Sequence, residues 1–177
     1  MTIGYVGRLV PEKGVDLLID AAEPLDVQLL IVGDGPERSS LERCVAAWPP
    51  GKAVFTGAIA HHAVPDYLAA LDALVLPSRS TIAWAEQFGH VLIEAMAAGV
   101  PVVGSASAAI PEVVADAGLL FPEGDVEALR ARLRMVLTDD GLRGSLIERG
   151  RARVARRYTH EVIVAAQRDV YERVRGA

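Results

Sequence analysis

Two glutamates, Glu86 and Glu94, lie eight residues apart on either side of Gly89. Gly89 permits a tight turn at the start of a helix, and Gly99 and Pro101 end that helix. The first turn of such a helix presents free backbone N–H groups and the positive end of the helix dipole, which suit a phosphate. Glu94 lies about 7 Å further along the helix axis. The order carboxylate, anion site, carboxylate matches an extended ligand with hydroxyls, an anion and hydroxyls.

Each glutamate taken alone is better explained as an ordinary loop or helix charge, and only the whole block favours a ligand site. Glu94 interrupts a long apolar run, so its carboxylate must either turn to one side or be paired, because burial of a bare charge is costly.

Two cations follow the first apolar run of the chain. Arg8 and Lys13 stand there between Gly7 and Gly14. This is a carboxyl edge, where open α/β sheets bind ligands. Both cations suit a diphosphate, which arginine can bind through two hydrogen bonds. For this segment alone, a solvated turn with surface charges is an equally good explanation.

The elements that must position these residues alternate along the chain. Short apolar runs, typical of strands buried on both faces, alternate with amphipathic stretches typical of helices. The runs are residues 3–6, 27–32, 53–55, 73–76, 100–103 and 118–121. The pattern predicts an α/β fold: a doubly wound, Rossmann-like, six-stranded parallel sheet with helices on both faces. After the last run we expect a helix capped by Asp125, a short helix over 141–150 and a last helix over 159–174.

Composition limits the classes of protein. The chain has 177 residues, 51% apolar and 23% charged, which suits one well-buried domain over 1–177. The net charge of −5 argues against nucleic-acid binding. The single cysteine, Cys44, excludes an internal disulfide and is interpreted as a packing residue. No signal peptide or membrane-spanning run is evident, so we expect a soluble, cytoplasmic protein.

A run of arginines lies near the C-terminus. These residues favour a solvated helix face over a nucleic-acid site, and they leave open a peripheral contact of the full enzyme with anionic lipid. The run is Arg149, Arg151, Arg153, Arg156 and Arg157.

The block around the two glutamates resembles a known signature. Glu86-x-Phe88-Gly89 followed by Glu94-Ala95-Met96 is similar to the E-x₇-E motif of retaining glycosyltransferases with the GT-B fold. More narrowly it resembles glycosyltransferase family 4, the glycosyl transferases group 1. The resemblance covers essentially the whole chain and corresponds to the C-terminal, donor-binding half of a GT-B fold. It implies that the N-terminal acceptor domain is absent from this chain.

The resemblance implies a role for each matching residue. Glu86 would contact hydroxyls of the donor sugar, and Glu94 would hold the ribose hydroxyls. Arg8 and Lys13, with Gly7 beside them, would neutralise the leaving nucleoside diphosphate, so that neither a divalent metal nor another cofactor is expected. The backbone amides that would face the diphosphate belong to Phe88, Gly89, His90 and Val91.

Two further segments join this set by resemblance. The turn with Gly33 and Gly35 would lie near the nucleotide, although a simple strand–helix connection explains it nearly as well. The backbone near Ile59 would meet the base. One position departs from the family: the loop after residue 103 has Ala108 and Ala109 where a glycine is usual, and alanine restricts the backbone there.

The resulting expectation is the donor-binding domain of a retaining hexosyltransferase, with Glu86, Arg8 and Lys13 as its catalytic residues. The donor would be a UDP- or GDP-linked sugar and the acceptor a hydroxyl group. The isolated domain would bind the donor without transferring the sugar. Two alternatives stay open: a non-enzymatic nucleotide-sugar-binding or regulatory module, and a sugar-nucleotide epimerase of the same architecture.

Overall fold

The computed structural model describes residues 1–175, so residues 176–177 of the expected domain lie outside the described residues. Six parallel strands form one sheet in the order β3-β2-β1-β4-β5-β6. They are β1 (Thr2–Val6), β2 (Gln28–Val32), β3 (Ala53–Gly57), β4 (Ala73–Leu76), β5 (Val102–Ser105) and β6 (Leu119–Phe121). The predicted fold class is confirmed.

The strand order creates a switch point between β1 and β4. β1 pairs with β2 on one side and with β4 on the other, so the chain first builds the sheet outwards and then returns to its middle. The loops that follow β1 and β4 therefore leave from neighbouring strand ends, and the Arg79 amide of the second donates to the Glu12 carbonyl of the first at 2.7 Å. Open α/β sheets bind ligands in the crevice at such a point.

Eight helices surround the sheet in the described part of the chain. Their bounds are α1 (Val15–Ala22), α2 (Arg38–Cys44), α3 (Val64–Ala69), α4 (His90–Ala98), α5 (Ile110–Val114), α6 (Val126–Thr138), α7 (Asp140–Arg157) and α8 (His160–Arg175). Helix α1 packs beside both α2 and α6, α4 packs beside both α3 and α5, and α7 packs on both α4 and α6. Asp125 caps α6 as predicted, since its carboxylate accepts a hydrogen bond from the amide of Ala128.

The core consists of the inner strands and the helix faces that cover them. Tyr5, Leu29, Leu74 and Phe121 are almost completely buried, as expected for a parallel sheet covered on both faces. Among residues 1–175, no helix is both long enough and apolar enough to cross a membrane.

Helix α7 is longer than the sequence predicts. The expected short helix over 141–150 is wrong, because α7 continues to Arg157 through three glycines. Gly150 lies against α4, and a Cβ there would come within 3.1 Å of the Met96 side chain. The glycine thus permits close packing of two helices and does not end the helix.

Two other interpretations need correction. Cys44 is exposed at the end of α2, so it is not a packing residue. The arginine run is only partly solvated, since the Arg153 guanidinium donates hydrogen bonds to the carbonyls of Val113 and Glu112 at the end of α5. That side chain therefore joins α7 to α5 and satisfies carbonyl groups that the helix leaves unpaired.

Candidate functional site

The loops after β1, β2 and β3 enclose a cleft of about 330 Å³ at the carboxyl edge of the sheet. Four residues from the predicted set line it: Gly7, Arg8, Gly33 and Ile59. They come from three separate loops, and Arg8 is an exposed cation at the rim. The cleft therefore has an exposed cation, Arg8, and an exposed carboxylate, Asp34, among its lining residues.

Close backbone packing forms this cleft. The Gly7 amide donates to the Val32 carbonyl at 2.9 Å, and the Gly33 amide donates to the Gly57 carbonyl at 3.0 Å. A Cβ on Gly33 would lie 1.8 Å from the Gly7 carbonyl oxygen, so only glycine fits. Gly35 is not among the residues that line the cleft; it packs against the backbone of Leu9.

Helix α4 begins beside this edge. Gly89 precedes its first residue in the left-handed conformation, with φ 73°, and no described side chain caps the first turn. The Leu92 amide donates to the Gly89 carbonyl at 2.8 Å, and the amides before it in this turn are left for another acceptor. The Phe88 ring packs edge-on against Tyr158 with 5.6 Å between ring centroids, and it also contacts the exposed His90. Tyr158 and His90 thus cover part of the Phe88 ring, which is half-buried.

Glu94 lies one turn further along α4, next to Ile93 and Ala95. It is half-buried and borders a second cavity of about 360 Å³. His61 and Val64 line both this cavity and the cleft, so the two spaces are neighbours. Glu94 takes part in none of the side-chain hydrogen bonds or ion pairs found within residues 1–175. Glu94 therefore lines this cavity without a side-chain partner among the described residues.

Glu86, unlike Glu94, is surrounded by charged and polar partners. Its carboxylate oxygen Oε2 lies 2.5 Å from the Lys13 ammonium and accepts a hydrogen bond of 3.0 Å from Ser78. The side chains of Lys13 and Glu86 are 14% and 10% exposed. The Lys13 ammonium also lies 4.9 Å from the centroid of the Trp84 ring, within the range of a cation–π contact. The structure therefore brings these two predicted residues together as a nearly buried ion pair.

Tyr5 connects this ion pair to the loop that carries Arg8. Its hydroxyl donates to the Arg8 carbonyl at 2.7 Å. Burial raises the pKa of Tyr5 well above its ordinary value, and the negative charge of Glu86 raises it further. Tyr5 thus stays protonated and fixes the start of the loop.

The loop after β5 supports Glu86 from the other side. The Ala109 amide donates to the Glu86 carbonyl at 3.2 Å, and Ser105 Oγ donates to the Ser78 carbonyl at 2.6 Å. Ala108 has φ 46°, in the left-handed region that costs a non-glycine residue about 1–2 kcal/mol. The alanine noted in the sequence therefore occupies a strained backbone position directly beside the site.

Tyr5, Ser78 and Trp84 also belong to the site, although the sequence did not predict them. Tyr5 lies inside an apolar strand, and its hydroxyl was the only indication of a polar role. Ser78 follows the fully apolar strand β4 after a single proline, and a polar residue so close to a buried strand is a usable signal, since it needs a hydrogen-bond partner if it is buried. The structure shows that Ser78 is completely buried. No feature of the sequence indicates a role for Trp84, because its contact with Lys13 depends on the turn that it forms with Thr81.

No three His, Cys, Asp or Glu side chains within residues 1–175 are grouped so that they could hold a metal ion. The expectation of a reaction without a metal or cofactor stays a prediction.

The fold and the site define a class: a parallel α/β domain with a cleft at the carboxyl edge of its sheet, of the Rossmann-like type found in GT-B glycosyltransferases. The family model described as "Glycosyl transferases group 1" matches residues 1–153. The chain belongs to this family of glycosyltransferases.

Several individual proteins are similar to this chain. One relative is a GDP-mannose-dependent monoacylated alpha-(1-6)-phosphatidylinositol monomannoside mannosyltransferase from Corynebacterium glutamicum, 37% identical over 88% of this chain. The structure of sucrose-phosphate synthase from Thermosynechococcus elongatus is 32% identical over 99% of this chain, with a TM-score of 0.85. That of HepE from Anabaena in complex with UDP is 25% identical over 99% of this chain, also with a TM-score of 0.85.

The chain spans less than half the length of each of these proteins. It covers 43% of the mannosyltransferase, 45% of the sucrose-phosphate synthase and 49% of HepE.

Proposed function

We propose that this chain binds the nucleotide-sugar donor of a retaining, family 4 glycosyltransferase that moves a hexosyl group to an acceptor hydroxyl without a metal. One observation carries the proposal. The loops after β1 and β4 meet through the Lys13–Glu86 ion pair, Glu86 lies just before the uncapped start of α4, and Arg8 belongs to the same loop as Lys13. Two cations and free backbone amides suit a diphosphate, and a carboxylate beside them suits sugar hydroxyls.

The proposed roles follow from the chemistry of the leaving group. Negative charge develops on the diphosphate as the glycosidic bond breaks. Arg8, Lys13 and the amides of residues 89–91 would stabilise that charge, which makes their electrostatic contribution catalytic. Glu94, in its open cavity, would accept the ribose hydroxyls, and the cleft beside Ile59 would take the base.

Two donor classes have support from similar proteins. HepE binds UDP in its structure, and the corynebacterial relative is GDP-mannose-dependent by name. We therefore propose a UDP- or GDP-linked hexose as the donor of this chain.

The acceptor site is proposed to lie on a second, N-terminal domain outside this chain. The chain spans less than half the length of its relatives, and the described cleft and cavity are both assigned to the donor. This chain alone should bind the nucleotide without transferring the sugar. Sugar transfer by the purified chain would contradict this part of the proposal.

Titration calorimetry with UDP, GDP and ADP, followed by UDP-glucose and GDP-mannose, tests donor binding. Arg8→Ala should weaken the preferred diphosphate by about tenfold, because a hydrogen bond to a charged group is lost. It should leave the bare nucleoside unaffected. Glu94→Ala should weaken nucleoside and diphosphate equally, since both carry the ribose.

Two surface substitutions serve as matched controls. Arg134→Ala and Glu148→Ala remove the same charges from exposed positions on α6 and α7. If Arg8→Ala affects the diphosphate no more than Arg134→Ala, the phosphate role of Arg8 is wrong. If the Glu94→Ala variant binds the nucleoside and the diphosphate as tightly as the Glu148→Ala variant does, the ribose role of Glu94 is wrong.

A further inference from the structure

The Lys13–Glu86 ion pair joins two residues that the proposed function assigns to different parts of the ligand. Lys13 is assigned to the diphosphate and Glu86 to the sugar. Yet their charged atoms lie 2.5 Å apart, and both side chains are nearly buried. Each group therefore already has the other as its partner.

The surroundings of the pair limit how many further partners it can take. A lysine ammonium has three donors. The Lys13 ammonium has the Glu86 carboxylate on one side and the Trp84 ring 4.9 Å away, and its side chain is only 14% exposed. A phosphate oxygen that reaches it must compete with Glu86.

Neighbouring residues hold this arrangement in place. Ser78 Oγ donates to the same Glu86 oxygen that meets Lys13, and Ser105 fixes the Ser78 carbonyl. Trp84 lies in a turn closed by hydrogen bonds with Thr81. The Thr81 amide donates to the Trp84 carbonyl at 2.7 Å, and the Trp84 amide donates to Thr81 Oγ1 at 2.9 Å. Ser78 and Trp84 are therefore positioning residues for the pair.

We propose that the Lys13–Glu86 ion pair couples recognition of the diphosphate to recognition of the sugar, so that the site favours an intact nucleotide sugar over a nucleoside diphosphate. This inference rests on the proposed function. A phosphate that takes Lys13 leaves the buried Glu86 carboxylate with Ser78 as its remaining partner, which is costly. The hydroxyls of a donor sugar offset that cost, whereas a nucleoside diphosphate has no group that can do so.

Removal of the Glu86 charge separates this coupling from a simple sugar contact. In Glu86→Gln, Lys13 has no anionic partner in the free protein, so UDP should bind about tenfold more tightly than to the wild type. UDP-glucose gains the same phosphate contact but loses the carboxylate, so the preference for UDP-glucose over UDP should disappear. Calorimetry with UDP and UDP-glucose, and with GDP and GDP-mannose, measures both changes. A simple sugar contact predicts unchanged UDP binding, and a purely structural role predicts weaker UDP binding.

Asp16→Asn is the matched control for charge. Asp16 forms an ion pair of 2.9 Å with Arg79, and its side chain is half exposed. The substitution changes the net charge by the same amount as Glu86→Gln but leaves the Lys13 pair intact. It should leave the affinity for all four nucleotides unchanged. An equal gain in UDP or GDP affinity in both variants would reduce the effect to general electrostatics and overturn the inference.

A second variant covers the case in which Glu86→Gln does not fold, which a thermal melt reveals. Glu86→Asp keeps the charge but shortens the side chain, so it should loosen the pair and give a smaller gain in UDP affinity. Unchanged or weaker diphosphate binding in whichever variant is folded contradicts the coupling and leaves the proposed function standing. A folded wild-type chain that binds none of the four nucleotides contradicts the proposed function and the coupling together.

Discussion

Glu86 and Glu94 are equivalent in type and belong to one short segment, but the two ends of the candidate site around them differ. At the Glu86 end, charged and polar side chains already satisfy one another, and the carboxylate is nearly buried. At the Glu94 end, the carboxylate borders an open cavity, and close backbone packing shapes the neighbouring cleft. A ligand that binds Lys13 or Glu86 must replace the partner that each already has in the ion pair. A ligand that binds Glu94 needs only to enter the cavity that Glu94 lines.

The difference suggests two kinds of selectivity within one site. On the proposed function, the Glu94 end would accept ligands with hydroxyls at the right place. The Glu86 end would favour a ligand that supplies both an anion for Lys13 and donors for Glu86. The following predictions test this comparison through protein stability, which does not depend on the identity of the ligand.

The largest expected effect comes from Lys13. Lys13→Met leaves the buried Glu86 charge without its counter-ion and should lower the free energy of unfolding by about 3 kcal/mol. Glu94→Gln removes no partner and should change it by less than about 0.5 kcal/mol. Urea denaturation of both variants measures the contrast.

The double variant Lys13→Met/Glu86→Gln is the internal control, because it removes both charges together. It should recover most of the lost stability. If Lys13→Met and Glu94→Gln changed the free energy of unfolding equally, the proposed difference between the paired Glu86 and the unpaired Glu94 would be wrong.

The second prediction concerns Tyr5 at the Glu86 end. Its pKa is raised in the folded state, so below pH of about 10 both states are protonated and its contribution to stability is fully present. Above that pH the unfolded chain loses the proton first. Stability should then fall by about 1.4 kcal/mol per pH unit from this group, until the raised pKa of the folded state is reached.

Denaturation of wild type and Tyr5→Phe at a series of alkaline pH values isolates this contribution. Tyr5→Phe should lack the slope, whereas Tyr171→Phe at an exposed position should keep it. An identical slope in Tyr5→Phe and wild type would mean that the Tyr5 pKa is not raised.

The smallest expected effect lies in the loop beside Glu86. Ala108→Gly relieves a left-handed alanine and should stabilise the protein by about 1 kcal/mol. Ala106→Gly in the same loop has no such strain to relieve, so it should be neutral or destabilising. A thermal or urea melt distinguishes them, and a loss of stability in Ala108→Gly would contradict the assigned strain.

The sequence predicts the sheet well because its signals are local. Each strand is a short apolar run, and the loops that carry Gly7, Arg8, Gly33 and Ile59 follow directly from strand ends. The length of α7 was not predictable in this way, since Gly150 has its role only through contact with Met96.

The pairing of Lys13 with Glu86 was likewise not predictable from the sequence. Types and spacing place Lys13 and Glu86 at the same edge of the sheet, but they do not reveal that the two side chains pair. That contact depends on how β1 and β4 align and on the turn that positions Trp84. Side-chain partners chosen by tertiary packing leave no periodic pattern in the sequence.

The separation of Lys13 and Glu86 along the chain has a consequence for folding. The two residues are 73 positions apart and can meet only after β4 has paired with β1 across the intervening strands and helices. Such non-local parallel pairing is slow to form, because loop closure must precede the contacts that reward it. During refolding we therefore expect helix signals to recover before nucleotide binding does. Ligand binding would then report the last step of folding in this chain.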